Sequence, residues 1–364
     1  MIKVIRAVTL IAFFLAGFSL LAYPQHVKTV GKPIVISEFI FENVPFASAH
    51  ASTIVETKHG LVAAWFSGTH EGASDVAIWS SRFVNGKWTN PVEIANGIQS
   101  NGERYACWNP VFFTKKNGDL ILFYKVGIGP QRWWGMKMES RDGGLTWQNN
   151  SRLPDGILGP IKNKPIWLSN GAIISPSSSE SFEEKSKWRV HFELSSDAGR
   201  NWKTVEPPAG PDGSYIDAIQ PSILKYADGR LQAVGRTRAG YVFQTWSRDA
   251  GRTWTPLERT TLPNPNSGTD AITLKDGRQI IVYNHTRQER TPLNVSFSAD
   301  GRNWKAGLVI ENEQGEFSYP SVIQTRDGLV HIVYTWNRKR IKHVVIDPKK
   351  IAGVPMPNGL WPAK

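Results

Sequence analysis

From about residue 33 to residue 347, short apolar runs alternate with polar turns along the chain. This is the pattern of β-strands in a packed sheet, and helix signals are nearly absent. Six times a polar residue opens a short apolar strand: His50-Ala-Ser-Thr-Ile54, Asn109-Pro-Val-Phe112, Lys164-Pro-Ile-Trp167, Gln220-Pro-Ser-Ile-Leu224, Asp270-Ala-Ile-Thr273 and Tyr319-Pro-Ser-Val-Ile323. A glycine turn such as Lys116-Asn-Gly118 or Lys275-Asp-Gly277 follows each time, then a second apolar run such as Leu61-Val-Ala-Ala-Trp65 or Gln279-Ile-Ile-Val-Tyr283. Each unit reads as a hairpin.

A second pattern lies over the first. Ser140-Arg-Asp142-Gly-Gly144-Leu-Thr146-Trp147 recurs as Ser195-Ser-Asp197-Ala-Gly199-Arg-Asn201-Trp202, as Ser247-Arg-Asp249-Ala-Gly251-Arg-Thr253-Trp254, and shortened as Ser298-Ala-Asp300-Gly301-Arg-Asn-Trp304. A degenerate copy ending at Trp88 lacks the Asp. The tryptophans stand some fifty to sixty residues apart, a spacing that fits one propeller blade per repeat. The Asp side chain of each copy is expected to bond the backbone of its own turn, with the Trp plugging the strand behind. The boxes are therefore structural.

The expected fold is all-β, a six-bladed β-propeller with Asp-box turns. Its blades run at about 47–92, 105–150, 160–205, 217–257, 268–306 and 317–347. The last unit has no box, so an early strand at about 33–39 should complete it and close the ring, removing the free edges that would otherwise template aggregation. A single domain at 23–364 follows a segment, 1–22, in which Lys3 and Arg6 precede an apolar stretch ending at Ala22. That is the pattern of a secretory signal or an uncleaved amino-terminal anchor.

Cys107 is the only cysteine, so no internal disulfide forms, and it is expected to serve as a small buried apolar residue. A disulfide-free exported chain suits a bacterial periplasm or exterior. The net charge of +12 is scattered among turns rather than gathered in a tract, which argues against nucleic acid and for an anionic glycan or envelope surface. No dinucleotide, phosphate-loop or zinc spacing is present, so no cofactor or metal is expected, and a monomer is expected.

In a propeller the first strand of each blade lines the central channel. His50, Asn109, Lys164, Gln220, Asp270 and Tyr319 should therefore converge at one mouth, where so many polar groups imply a site. The loops after the second strands add His70, Glu71, Lys125, Glu180, Arg236, Arg238, Arg287, Arg290 and Arg338. Guanidinium groups from successive blades facing one axis would grip a carboxylate bidentately.

The Ser-x-Asp-x-Gly-x-Thr-Trp boxes have the form of the bacterial neuraminidase repeat, and the chain from about His50 to Asp347 resembles the sialidase superfamily. The resemblance implies an exported glycosidase releasing a terminal acidic sugar, sialic acid or a related ulosonic acid. It places a tyrosine nucleophile at Tyr319 and carboxylate-binding arginines at Arg236 or Arg238 and at Arg290. The family's Arg-Ile-Pro motif is missing, and His50-Ala-Ser stands roughly in its place. Gln220 occupies the position of the glutamate that activates the tyrosine, and the usual acid/base Asp is absent. Within that scheme Tyr319 attacks, Asp270 or Glu316 accepts its proton, and Glu71 protonates the leaving oxygen. Arg236, Arg238, Arg290, His50, Asn109, Lys164, Gln220 and Lys125 bind substrate. Two other readings fit the residues: a uronate-polysaccharide lyase using Tyr319, His50 and the arginines, and a lectin-like propeller without turnover.

Overall fold

The computed structural model describes residues 32–184 and 186–363. The proposed signal or anchor lies outside these residues. Six antiparallel sheets are arranged as the blades of a β-propeller, as expected. The inner strands begin at Ser48, Cys107, Ile166, Ala218, Asp270 and Phe317. The ring closes where Ile34–Phe39 pairs with Arg340–Ile346, making the amino-terminal strand the outermost strand of the sixth blade. One feature was not foreseen: Val354–Pro355 returns to pair with Lys305–Glu311 as a fifth strand of blade five.

Local chemistry explains the blade ends. In the first box Asp142 accepts from the backbone amides of Leu145 (3.0 Å) and Thr146 (2.9 Å), while Ser140 Oγ accepts from Gly144 N at 2.8 Å. Gly144 sits at φ +85°, where a Cβ would meet Val62 of the preceding blade at 3.1 Å. The other boxes repeat these bonds, with Asp197, Asp249 and Asp300 in the role of Asp142. Trp254 then stacks on Phe192 of the neighbouring blade at 3.9 Å between ring centroids. The four Asp residues thus act as turn clamps and the Trp residues as plugs between blades.

Buried apolar clusters fill the space between adjacent sheets all round the ring. Leu120, Leu122 and Phe112 of blade two meet Val62, Ala64 and Phe66 of blade one, and Val322, Ile332 and Tyr334 of blade six meet Val282 and Val295 of blade five. Strands covered on both faces explain why the runs read as nearly continuous apolar segments. Cys107 is fully buried, and burial pushes its thiol well above the usual range.

Candidate functional site

The channel mouth is shaped by one backbone device used four times. Ala51, Asn109, Gln220 and Tyr319 all have positive φ, at 53°, 39°, 58° and 52°. Each lies where its inner strand slips register against the second strand, between His50 and Thr53, Trp108 and Val111, Ile219 and Ser222, and Ser318 and Ser321. These are β-bulges, which re-aim a side chain at the expense of local pairing. Left-handed backbone in bulky residues such as Gln and Tyr is strained and persists only where the surroundings enforce it.

The repeat register places His50 one residue before the bulge, level with Trp108, Ile219 and Ser318; Ala51 holds the position equivalent to Asn109, Gln220 and Tyr319. His50 nonetheless reaches the site. Its ring lies against Tyr319, 4.3 Å between centroids, and both ring nitrogens are buried without a partner among the described residues. Burial, then the fields of Arg338, Arg290, Arg236 and Lys162, drive its pKa well below the usual imidazole value, so the ring is neutral at physiological pH.

Around the Tyr319 ring stand Arg236 at 5.4 Å, Arg290 at 5.6 Å and Lys162 at 5.8 Å from the centroid. Arg236 comes from the second strand of blade four, is almost fully buried and leaves its Nε unpartnered. Arg290 rises from blade five and donates to Glu316 at 2.8 Å. Arg338 occupies a tight turn with Asn337, both at positive φ, and donates its Nε to Glu316 at 3.0 Å. Glu316 also accepts from Ser318 Oγ. Burial works against the ionised form of Glu316, but Arg290, Arg338 and Ser318 outweigh it and hold the carboxyl below its usual range. The cationic set at the mouth is therefore Arg236, Arg290 and Arg338.

Other expected residues take different places. Arg238 stacks on Trp188 at 4.1 Å and lies 3.6 Å from Asp217, on the rim between blades three and four. Arg287 packs beside Gly240. Glu71 is at the rim, ion-paired with Arg338. Glu180 accepts from Trp188 Nε1 at 2.9 Å, and burial raises its carboxyl above the usual value despite that bond and the nearby Arg236 and Arg238. Asn109 and Gln220 are buried at the mouth, with Gln220 Oε1 unpartnered.

Asp270 and Lys164 do not stand free at the mouth. The Asp270 carboxylate is buried and accepts from Lys164 Nζ (2.5 Å), Val322 N (2.8 Å), Ala271 N (2.9 Å) and Ser222 Oγ (3.0 Å). It ties blades three, four, five and six together, and with its lone pairs engaged it is a poor proton acceptor for Tyr319. Lys125 is wholly buried between blades two and three, donating to Pro160 O at 2.7 Å. Burial, partly offset by Glu193, lowers its pKa to about 7. Its position opposite Trp108 matches that of Arg236 opposite Ile219, but its amine turns to a carbonyl.

The residue that sequence reasoning missed is Lys162. The short inner strand of blade three, Ile166–Trp167, is preceded by an irregular segment. This segment carries Lys162 into the channel, where its Nζ donates to Pro320 O (2.6 Å), Thr269 O (3.0 Å) and Asn163 Oδ1 (3.0 Å). Burial, with Lys164 and Arg236 adding to it and Asp270 opposing, lowers its pKa to about 7. Gly268 makes room: a Cβ there would lie 2.8 Å from the Lys162 chain and 3.3 Å from Gln220 Oε1. No periodic signal marks Lys162, since it precedes the strand by several residues.

A family model described as BNR repeat-like domain matches residues 59–332. No curated protein matches the chain. Among solved structures, a protein of unknown function from Dyadobacter fermentans superposes with a TM-score of 0.73 at 18% identity, covering 86% of this chain and 98% of that one. The NanB sialidase from Streptococcus pneumoniae gives 0.69 at 13% identity over 88% and 71%. The intramolecular trans-sialidase from Ruminococcus gnavus, solved with oseltamivir carboxylate, gives 0.66 at 14% identity over 87% and 99%. The fold is sialidase-like.

Proposed function

The chain belongs to the BNR repeat-like domain family, and from that premise we propose that it cleaves a glycan whose terminal sugar bears a carboxylate, gripped by Arg236, Arg290 and Arg338 over Tyr319. The observation that carries this reading is Arg236. A nearly buried guanidinium with an unpartnered Nε, and no carboxylate paired to it among the described residues, is costly unless an anion completes it. The sialidase-like fold supports the same choice of ligand.

As a glycosidase, the Tyr319 oxygen forms a bond to the anomeric carbon while the bond to the leaving oxygen breaks. The departing oxygen takes a proton from Glu71, which is protonated from solvent once the substrate carboxylate displaces it from its ion pair with Arg338, and water then releases the sugar from the tyrosine. A phenol suits an anomeric centre beside a carboxylate because it avoids the repulsion a second carboxylate would meet. The phenolic proton passes to His50, which is neutral and has both nitrogens unpartnered, once the substrate carboxylate offsets the cationic fields that weaken it as a base, rather than to Asp270 or Glu316, which are tied up in the ion pairs described above.

The same His50–Tyr319 contact favours a second reading, elimination from a uronate chain. There the arginines neutralise the carboxylate, one member of the pair removes the proton beside it, and the other protonates the leaving oxygen. Incubation with sialosides, other ulosonic acid glycosides and uronate polymers distinguishes the two. Hydrolysis adds one water to the summed product mass, and elimination adds none and leaves an unsaturated, ultraviolet-absorbing sugar. Absence of both cleavage and binding across the panel would refute the proposal, and binding alone would make this a lectin-like propeller. The apolar segment before Ala22 is proposed to direct export to the periplasm or exterior, with a monomer as the working form.

A further inference from the structure

Beside the mouth, between blades three and four, lies a groove of about 670 Å³ lined in part by Arg189, Tyr215, Asp217, Arg238 and Tyr241. Its volume falls in the range of ligand pockets, roughly 300–1,000 Å³. Stacked side chains link it to the arginine cluster. Arg236 lies between the rings of Tyr319 (5.4 Å) and Trp188 (5.2 Å), and Arg238 stands over Trp188 at 4.1 Å on the groove side. Trp188, flanked by Arg236 and Arg238, therefore stands between the Tyr319 ring and the groove.

The groove's chemistry differs from that of the mouth. Tyr215 exposes 52% of its surface, unusual for a large aromatic residue in this protein. The Arg189 guanidinium lies 4.6 Å from its ring and fixes its orientation. Asp217 in turn accepts from Arg189 Nη1 (3.1 Å) and from Trp188 N (3.2 Å), and Arg238 lies 3.6 Å away. With Glu183, Glu184 and Lys187 also in the lining, three acidic residues balance three basic ones. What remains is a rigid aromatic platform with guanidinium N–H donors and carboxylate acceptor sites beside it, a combination that suits the apolar face and hydroxyl edge of a sugar ring. The mouth, with its three arginines and Lys162, suits an anion.

We propose that this groove is the subsite for the next sugar of the chain, a neutral, hydroxyl-rich ring stacked on Tyr215, so that the substrate is an oligosaccharide held at two points rather than a single acidic sugar. The proposal rests on the reading of the mouth as the acidic-sugar site. Binding is measured by calorimetry in a Tyr319→Phe background, which suppresses turnover, with two probe pairs whose second sugar is neutral: N-acetylneuraminic acid against sialyllactose, and glucuronic acid against its disaccharide with galactose. In the pair that binds, the oligosaccharide is expected to bind more tightly than its monosaccharide. Adding Tyr215→Ala should weaken the oligosaccharide about three- to tenfold and leave the monosaccharide unchanged. Tyr215→Phe should restore the affinity, and because the residue is half exposed the replacement leaves the core intact.

Equal affinity for oligosaccharide and monosaccharide, or equal weakening of both by Tyr215→Ala, overturns the subsite while leaving the mouth assignment standing. Failure of the mouth reading looks different. There, Arg236→Ala leaves the monosaccharide affinity unchanged, or no probe binds at all, and the subsite proposal falls with it.

Discussion

Replacing Asp270 with Asn tests whether this carboxylate is a frame element or part of the chemistry. Asn is nearly isosteric but carries no charge, and its Nδ2 is a donor. Placed where Oδ2 now accepts from Lys164 Nζ and Val322 N, that amide confronts two donors. The Oδ1 contacts with Ser222 and Ala271 N can survive. Breaking one side of a buried ion pair costs about 3–5 kcal/mol, and Lys164 is only partly exposed, with 23% of its side chain open to water, so rehydration offsets only part of that loss. At about 2 °C per kcal/mol for a chain of this size, the full loss would lower the melting temperature by roughly 6–10 °C, and the rehydrated lysine brings the expected fall to the lower end of that range. Differential scanning calorimetry at neutral pH reads the shift, and calorimetric titration with the best acidic sugar reads the site. A variant that melts within a degree of the parent yet loses turnover would refute the structural assignment and return Asp270 to the reaction.

Arg290→Ala should weaken binding of that sugar about ten- to a hundredfold, the worth of a charge-assisted contact of roughly 1.5–3 kcal/mol; Glu316 keeps Arg338 as its partner, so the melting temperature should hardly move. Tyr319→Phe should abolish product release while preserving binding, and full activity in this variant would exclude the tyrosine mechanism. Gln220→Glu places a carboxylate at the mouth where Oε1 now lacks a partner and should raise activity on sialosides if Tyr319 is a nucleophile lacking a strong base, whereas an eliminating enzyme should gain nothing. Stability should fall as pH drops from about 6.5 towards 4. His50, His285, His331 and His343 all have folded pKa values lowered first of all by burial, with His285 and His331 at about 4, so the unfolded chain takes up protons that the folded one refuses. At lower pH, from about 4 towards 2, the box carboxylates Asp142 and Asp300, each held at about 2 by turn hydrogen bonds that outweigh burial, add a second loss. A flat urea midpoint from pH 7 to 4 would contradict the histidine assignment.

The sequence by itself determined the propeller. The blades are built from near-neighbour contacts: a hairpin turn in each and, in blades two to five, a box whose Asp bonds amides two to four residues away and whose Trp closes the turn. Such local rules recur at a fixed period and are legible without the fold, and so is the closing strand at Ile34–Phe39, implied by a last unit without a box. The polar residues at the strand starts were also legible as a group, as were Tyr319, Arg236 and Arg290.

Only the tertiary structure decided which of those groups are free. Asp270 and Lys164 satisfy one another from blades five and three, with blade four between them, and Lys125 gives its amine to a carbonyl. Arg338 joins the cluster because a tight turn swings it towards Glu316, and Lys162 enters the channel because blade three begins its inner strand late. These outcomes depend on contacts between residues some twenty to a hundred and sixty positions apart, where the packing of whole blades fixes which donor meets which acceptor. No local pattern in the chain encodes that choice.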